Sequence, residues 1–238
     1  MGKEIQTPDI SIVASAVRVN RWSDFVASLK GNKCAYEVIF IGNVPPLEQM
    51  PGNFHWVKSF SCPAECYSIG FKMAKGRLIH WTADDCIYSK CCLDEIWTRW
   101  LDEKKEKIIL EPLLFENYGK GWHENSGTQK FNSQWFSPLM APFGFMSREW
   151  FNKLGGIDRN FTHGQYENDL VLRAMEDGGK VKIVHEAEVW VDHFGVHGGV
   201  EGSDFSKGYI EGRKFLGSCW IKDGKISKKR LKPLEPFI

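Results

Sequence analysis

Residues 76–86 read GRLIHWTADDC. An apolar run, Leu78 to Trp81, passes through Thr82 and Ala83 into two adjacent carboxylates, Asp84 and Asp85. A short, nearly continuous apolar run fits a parallel strand covered on both faces. Two like charges at its end carry an electrostatic cost, which a bound cation would offset. Aspartate is also a common turn and helix-capping residue, so the pair by itself leaves both readings open.

The flanking sequence places this strand in an alternating pattern. DISIVAS (9–15) is a β-branched run. In RWSDFVASLKG (21–31), Trp22, Phe25, Val26 and Leu29 recur at helical spacing. YEVIFIG (36–42) and FHWVKSF (54–60) read as the second and third strands. PAECYSIGFKMAKG (63–76) starts with Pro at a helix N-terminus and stops at Gly76, the residue preferred after a helix end. Beyond the aspartates, 89–107 reads as a helix and KIILEPLLF (107–115) as a strand. This succession predicts an α/β fold, a Rossmann-like mixed but mainly parallel sheet flanked by helices and joined by right-handed crossovers. Ligands of such sheets sit beyond the carboxyl ends of the strands, where Asp84 and Asp85 fall.

The second half differs in character. Residues 116–137 are polar, aromatic and rich in Gly and Asn, as a lid or binding loop is. PFGFMSREWFNKLGGIDRNF (142–161) reads as a short strand, a short helix and a break at Gly155–Gly156; GQYENDLVLRAMEDGGK (164–180) reads as a helix closed by Gly178 and Gly179. KVKIVHEAEVWVDHFG (180–195) gives one or two strands ending at Asp192 and His193. With no internal repeat, the expectation is one domain over 1–238: a nucleotide-binding half (9–115), an acceptor half (116–200), and a C-terminal helix with a basic tail (201–238).

Composition narrows the function classes. The chain has 238 residues, with 31 Lys plus Arg against 30 Asp plus Glu, so nothing in its charge points to general nucleic-acid binding. Its seven cysteines are odd in number and lack paired C-x-x-C spacing, which fits reduced thiols in a cytoplasmic protein rather than a disulfide framework or structural zinc. No apolar run reaches the length of a membrane span, and MGKEIQTPDI has no signal-peptide core. The segment KDGKISKKRLKPLEP (222–236) reads as a solvated basic end, with weak contact to an anionic membrane surface as a secondary expectation.

Three groups of side chains are candidates for chemistry. Asp84 and Asp85 suit a hard cation such as Mg²⁺ or Mn²⁺. Glu167 and Asp169 lie near the start of a helix, with Arg173 one turn beyond Asp169; a carboxylate at a cleft can take a proton from a hydroxyl nucleophile, although helix N-termini favour acids in any case. His193, directly after a strand, is either a metal or phosphate contact or a structural histidine.

The order of these signals resembles the GT-A-fold glycosyltransferases, specifically the inverting family 2 type. The family's opening strand and nucleotide-binding turn are matched by ISIVASAVRVNRW, its second strand by YEVIFIG, and its helix, strand and D-x-D-type motif by MAKGRLIHWTADD. In the back half REWFNKLGGIDRNF and YENDLVLR match the family's later motifs, the second in part, and the likeness spans roughly residues 9 to 195. The resemblance implies transfer from a nucleoside diphosphate sugar to a hydroxyl of a glycan or other acceptor. It implies that Asp85 binds the divalent metal, with His193 as a further contact, and that Asp84 meets the ribose or helps hold the metal. It implies that Ser15, Val17 and Arg18 lie near the nucleotide, and that Glu167 is the general base with Asp169 in support. The aromatic loop, with Trp122, His123 and Trp135, is the expected acceptor platform. Gly42 and Asn43 stand where the family carries an acidic residue against the base. A sugar-nucleotide-forming nucleotidyltransferase and a non-catalytic sugar-nucleotide or glycan-binding module are the alternatives; SAVRVNRW lacks the glycine-rich loop the former needs.

Overall fold

The computed structural model describes residues 7–103, 107–126, 139–193 and 205–237. Strand β1 (Ile10–Ser15) lies between β2 (Tyr36–Gly42) and β4 (Leu78–Trp81), parallel to both, and β3 (Phe54–Lys58) extends the parallel sheet beyond β2. Side chains alternate across β1: Ile10, Ile12 and Ala14 enter one core and Val13 the other, all fully buried. Both faces are covered, which is why these strands read as continuous apolar runs. Helix α1 (Trp22–Ser28) closes one face; helix α2 (Pro63–Met73), with Pro63 in its first turn, closes the other.

The back half joins the same sheet. Strand β8 (Phe145–Ser147) pairs antiparallel with β4 and with β6 (Ile108–Asn117), and β6 runs parallel to β9 (Lys180–Asp192). The resulting order is β3–β2–β1–β4–β8–β6–β9–β5, with β5 (Cys86–Tyr88) at the edge and β7 (Trp122–Glu124) beside β6. Helix α3 (Cys92–Asp102) shares the core of α1, whereas α4 (Arg148–Lys153), α5 (Tyr166–Glu176) and α6 (Phe205–Trp220) gather on the opposite side with α2. The mixed, mainly parallel sheet is the architecture expected from the sequence.

Several details differ from that reading. Strands β5 and β7 are each 3 residues long, too short for periodicity to reveal, and β7 forms a hairpin on β6 inside the stretch expected to be loop. Segment 180–192 is a single strand, irregular in register opposite Pro112/Leu113. Helix α2 ends at Met73, before Gly76; there a Cβ would lie 2.5 Å from the backbone nitrogen of Ser11, so glycine serves close approach to β1.

The lysines of the basic tail, Lys222, Lys225, Lys228, Lys229 and Lys232, are exposed as expected, but the segment is docked on the fold rather than loose. It forms the small hairpin β10 (Ile221–Lys222)–β11 (Lys225–Ile226) and then runs back over the domain. Pro236 bridges to Asp158, Arg159 pairs with Glu235 at 2.8 Å, and Phe237 packs on the core. Arg230 is turned inward, its side chain 6% exposed between two carboxylates. Among the described residues no helix is long and apolar enough to cross a membrane.

Candidate active site

The strand ends of β1 and β4 bring the two aspartates against the turn that follows β1. Asp84, completely buried, accepts hydrogen bonds at Oδ2 from the backbone N–H groups of Val17 and Arg18, both at 2.7 Å, and from Trp22 Nε1 at 3.0 Å. Its other oxygen faces Arg18 Nη2 at 2.7 Å. The same nitrogen donates to Asp85 Oδ1 at 2.9 Å. Asp84 thus fixes the turn, and the guanidinium bridges the acid pair. Burial works against the charge on Arg18, but Asp84 and Asp85 more than offset it and hold the group above its usual value. The Arg18 Nε–H is buried and has no partner among the described residues. An orphan donor of this kind is suited to an oxyanion.

Asp85 lines a cavity of about 360 Å³ with Arg21, Asp24, Trp122, Trp190 and Asp192. Burial raises its pKa, Arg18 opposes the shift, and the net displacement is upward. His193 follows β9, with Nε2 2.9 Å from Glu116 Oε1 and its ring stacked on Tyr118 at 4.6 Å. Burial would raise Glu116, yet hydrogen bonds from His193, Asn125 and Tyr118 take it below the usual carboxylate range. Among the described residues no three His, Cys, Asp or Glu side chains converge as a complete metal cage. Asp85, a cavity-lining carboxylate, is an oxygen donor of the kind a divalent cation takes, although its Oδ1 is paired with Arg18 and His193 Nε2 is paired with Glu116. Mg²⁺-type ions characteristically take one or two protein ligands and complete their shell from substrate phosphates and water.

A second cleft, of about 570 Å³, lies between β6, the loop before β8 and helices α5 and α6. Glu167 opens into it from the first turn of α5. Its Oε1 accepts from the Gln165 backbone N–H at 3.2 Å, whereas Oε2 is buried with no partner among the described residues. Burial raises this carboxyl to about 7, against the smaller opposing effect of the backbone N–H groups of Glu167 and Gln165. Glu116 and Tyr118 line the same cleft, and Glu116 binds His193, the neighbour of Asp192 in the Asp85 cavity. Within this cleft the Tyr67 hydroxyl donates to the carbonyl of Thr82, two residues before Asp84, and the Tyr67 and Tyr166 rings lie 5.0 Å apart.

The remaining expected residues fall in varied places. Asp169, although two positions from Glu167, is completely buried and accepts from Arg173 Nε, Trp220 Nε1 and Arg230 Nε at 2.8, 2.8 and 3.0 Å. Ser15 ends β1, half-buried, two residues before the Val17 N–H that binds Asp84. Trp122 stands in the Asp85 cavity, edge-on to Trp190 at 5.0 Å, rather than in the Glu167 cleft. His123 is exposed on β7, and Trp135 lies outside the described residues. Sequence reasoning missed Glu116, Tyr118 and Tyr67. Only the alternating burial along the end of β6 carries a trace of Glu116.

No protein-family model matches the chain, and no curated protein does. Solved structures match. A structure of GalNAc-T7 with UDP, GalNAc and Mn²⁺ is 16% identical and superposes with a TM-score of 0.65 over 92% of this chain and 49% of that one. S. aureus TarS is 10% identical, with a TM-score of 0.61 over 77% of this chain and 36% of that one. Its fragment 1–349 in complex with UDP, 11% identical, gives 0.58 over 77% and 60%. The fold is of the GT-A type. The chain spans between 36% and 60% of the length of these solved chains.

Proposed function

We propose that this GT-A domain transfers a sugar from a nucleoside diphosphate sugar to an acceptor hydroxyl with inversion, using Glu167 as the general base. The observation that carries the reading is the Glu167 carboxyl, which has a buried, unpartnered Oε2 on a roomy cleft and a pKa of about 7. A base poised near neutrality combines a useful deprotonated fraction with a strong drive to take the proton. The GT-A fold and the neighbours solved with UDP support the donor class.

The donor's diphosphate is assigned to the turn after β1, where the orphan Arg18 Nε–H and the bridging guanidinium meet oxyanion charge. Asp85 and His193 would hold a divalent cation, Mn²⁺ or Mg²⁺, whose chemistry is Lewis-acid stabilisation of phosphate oxygens. In the Glu167 cleft the acceptor hydroxyl gives its proton to Oε2 as its oxygen bonds to the anomeric carbon. The carbon–oxygen bond to the diphosphate breaks on the opposite face, and the electron pair leaves with the diphosphate. Tyr118 and Tyr209 place aromatic rings along the same cleft, where a sugar-like acceptor would lie.

A thermal-shift panel of nucleoside diphosphates and their sugars, with and without Mn²⁺, tests the donor assignment. A native-state ligand at 100 times its Kd adds about 2.7 kcal/mol of apparent stability. A stabilising nucleotide whose effect disappears in Arg18→Ala supports the assignment. No stabilisation by any member overturns it.

A further inference from the structure

Around Glu167 the chain is held by the segment that closes the sequence. Asp169, on the same helical turn, and Asp158, in the loop before it, are both completely buried. Arg230 joins them: Nη2 donates to Asp158 Oδ2 at 2.6 Å, Nε to Asp169 Oδ1 at 3.0 Å and Nη1 to the Lys232 carbonyl at 2.8 Å. Arg173 binds the other Asp169 oxygen and spends its remaining nitrogens on the carbonyls of Leu154 and Gly156. Trp220, the last residue of α6, adds a further donor to Asp169. Two carboxylates and two guanidiniums therefore balance, and the fork geometry of arginine lets one side chain span both acids.

On the other side of Glu167, α6 presses on residues 163–165. A Cβ at Gly208 would lie 2.0 Å from the His163 ring, and one at Gly212 would lie 2.8 Å from the Gly164 carbonyl oxygen. Between these contacts Gln165, a non-glycine residue, has φ +73°, and its N–H binds Glu167 Oε1. Left-handed backbone at such a residue persists only where the surroundings over-determine it.

We propose that residues 207–237 form a brace that positions Glu167, with Arg230 as its central positioning residue. The brace grips the chain two residues after Glu167 through Asp169, and two to four residues before it through the glycine face of α6. It deepens the functional reading above and rests on it for its catalytic consequence. Tyr67, Tyr118, Tyr166, Tyr209, His163, Glu116 and Arg213 are the other titratable or charged groups facing the cleft. None of them touches Arg230, so a change there reaches Glu167 through the backbone of α5.

The test compares Arg230→Lys, which keeps the charge but cannot span two carboxylates, with Gly208→Ala, which disturbs the other contact. The ¹³C titration of the Glu167 carboxyl, assigned with Glu167→Gln, is read beside kcat and the donor KM. Expected in either variant is a Glu167 midpoint lowered by about one pH unit as water reaches the loosened turn, and kcat lower by roughly tenfold at a donor KM within about twofold. An unchanged midpoint and kcat in a folded variant, with only the melting temperature lowered, overturns the proposal. Should Arg230→Lys not fold, Gly208→Ala decides alone. A shifted midpoint in a protein that transfers no sugar would leave the brace standing and remove the functional reading instead.

Discussion

Two pairs of buried aspartates, each with arginine, stand on either side of this fold, and they are built differently. Asp158 and Asp169 are sealed: Asn160, Arg230, Arg173 and Trp220 bind them, and each side chain is completely buried. Asp84 and Asp85 share one guanidinium, and that cluster keeps a cavity-lining carboxylate and an unpartnered N–H. A carboxylate's role follows from where its lone pairs go rather than from its residue type. The sealed pair has its oxygens spent on internal donors; the open pair keeps a carboxylate on a cavity.

The contrast yields separate expectations for stability and binding. Asp169→Ala leaves two guanidiniums without their shared anion, and removing one partner of a buried pair costs about 3–5 kcal/mol. Chemical denaturation should show that loss. Asp85→Ala should cost less than Asp169→Ala, because Arg18 keeps its pairing with Asp84, yet abolish Mn²⁺-dependent nucleotide binding in calorimetry. If Asp85→Ala proved the more destabilising, the distinction between the two clusters would collapse.

Glu167 extends the comparison to pH. Its folded pKa of about 7 lies above the ordinary 4.5, so the native state holds a proton that the unfolded chain has released across that window. Stability from this group is therefore complete below about pH 4.5 and is lost as pH rises toward 7, by an amount on the order of 3 kcal/mol. Activity should run the other way, with kcat rising through pH 7 as the base deprotonates. Glu167→Gln should flatten the stability slope, measured by denaturant melts at pH 5 and pH 8. A smaller effect is expected at Gly42, where a Cβ would lie 1.8 Å from the Ala16 carbonyl oxygen. Gly42→Ala should cost about 1–3 kcal/mol by forcing the β1 and β2 ends apart.

How much of this was written locally in the chain follows from the same residues. The parallel strands were legible because burial on both faces leaves continuous apolar runs; Asp84 and Asp85 stood out because they follow such a strand, and Glu167 because it stands at a helix start. The different fates of Glu167 and Asp169 were not, since the three donors that seal Asp169 lie 4, 51 and 61 residues away in sequence. Arg230 sits in a lysine-rich run that by composition belongs in water; only the buried acids it reaches, 61 and 72 residues away, turn it inward. The Glu116–His193 contact spans 77 residues and leaves no periodic trace. Pairings of this kind depend on tertiary structure, which local pattern does not encode.

The central claim is that Glu167, and not Asp169, takes the acceptor's proton. It is tested most directly by kcat for Glu167→Gln at pH 8, with donor affinity and melting temperature measured on the same preparation. The account predicts a fall of roughly a hundredfold to ten-thousandfold with donor binding retained. Turnover near that of the parent protein would contradict it.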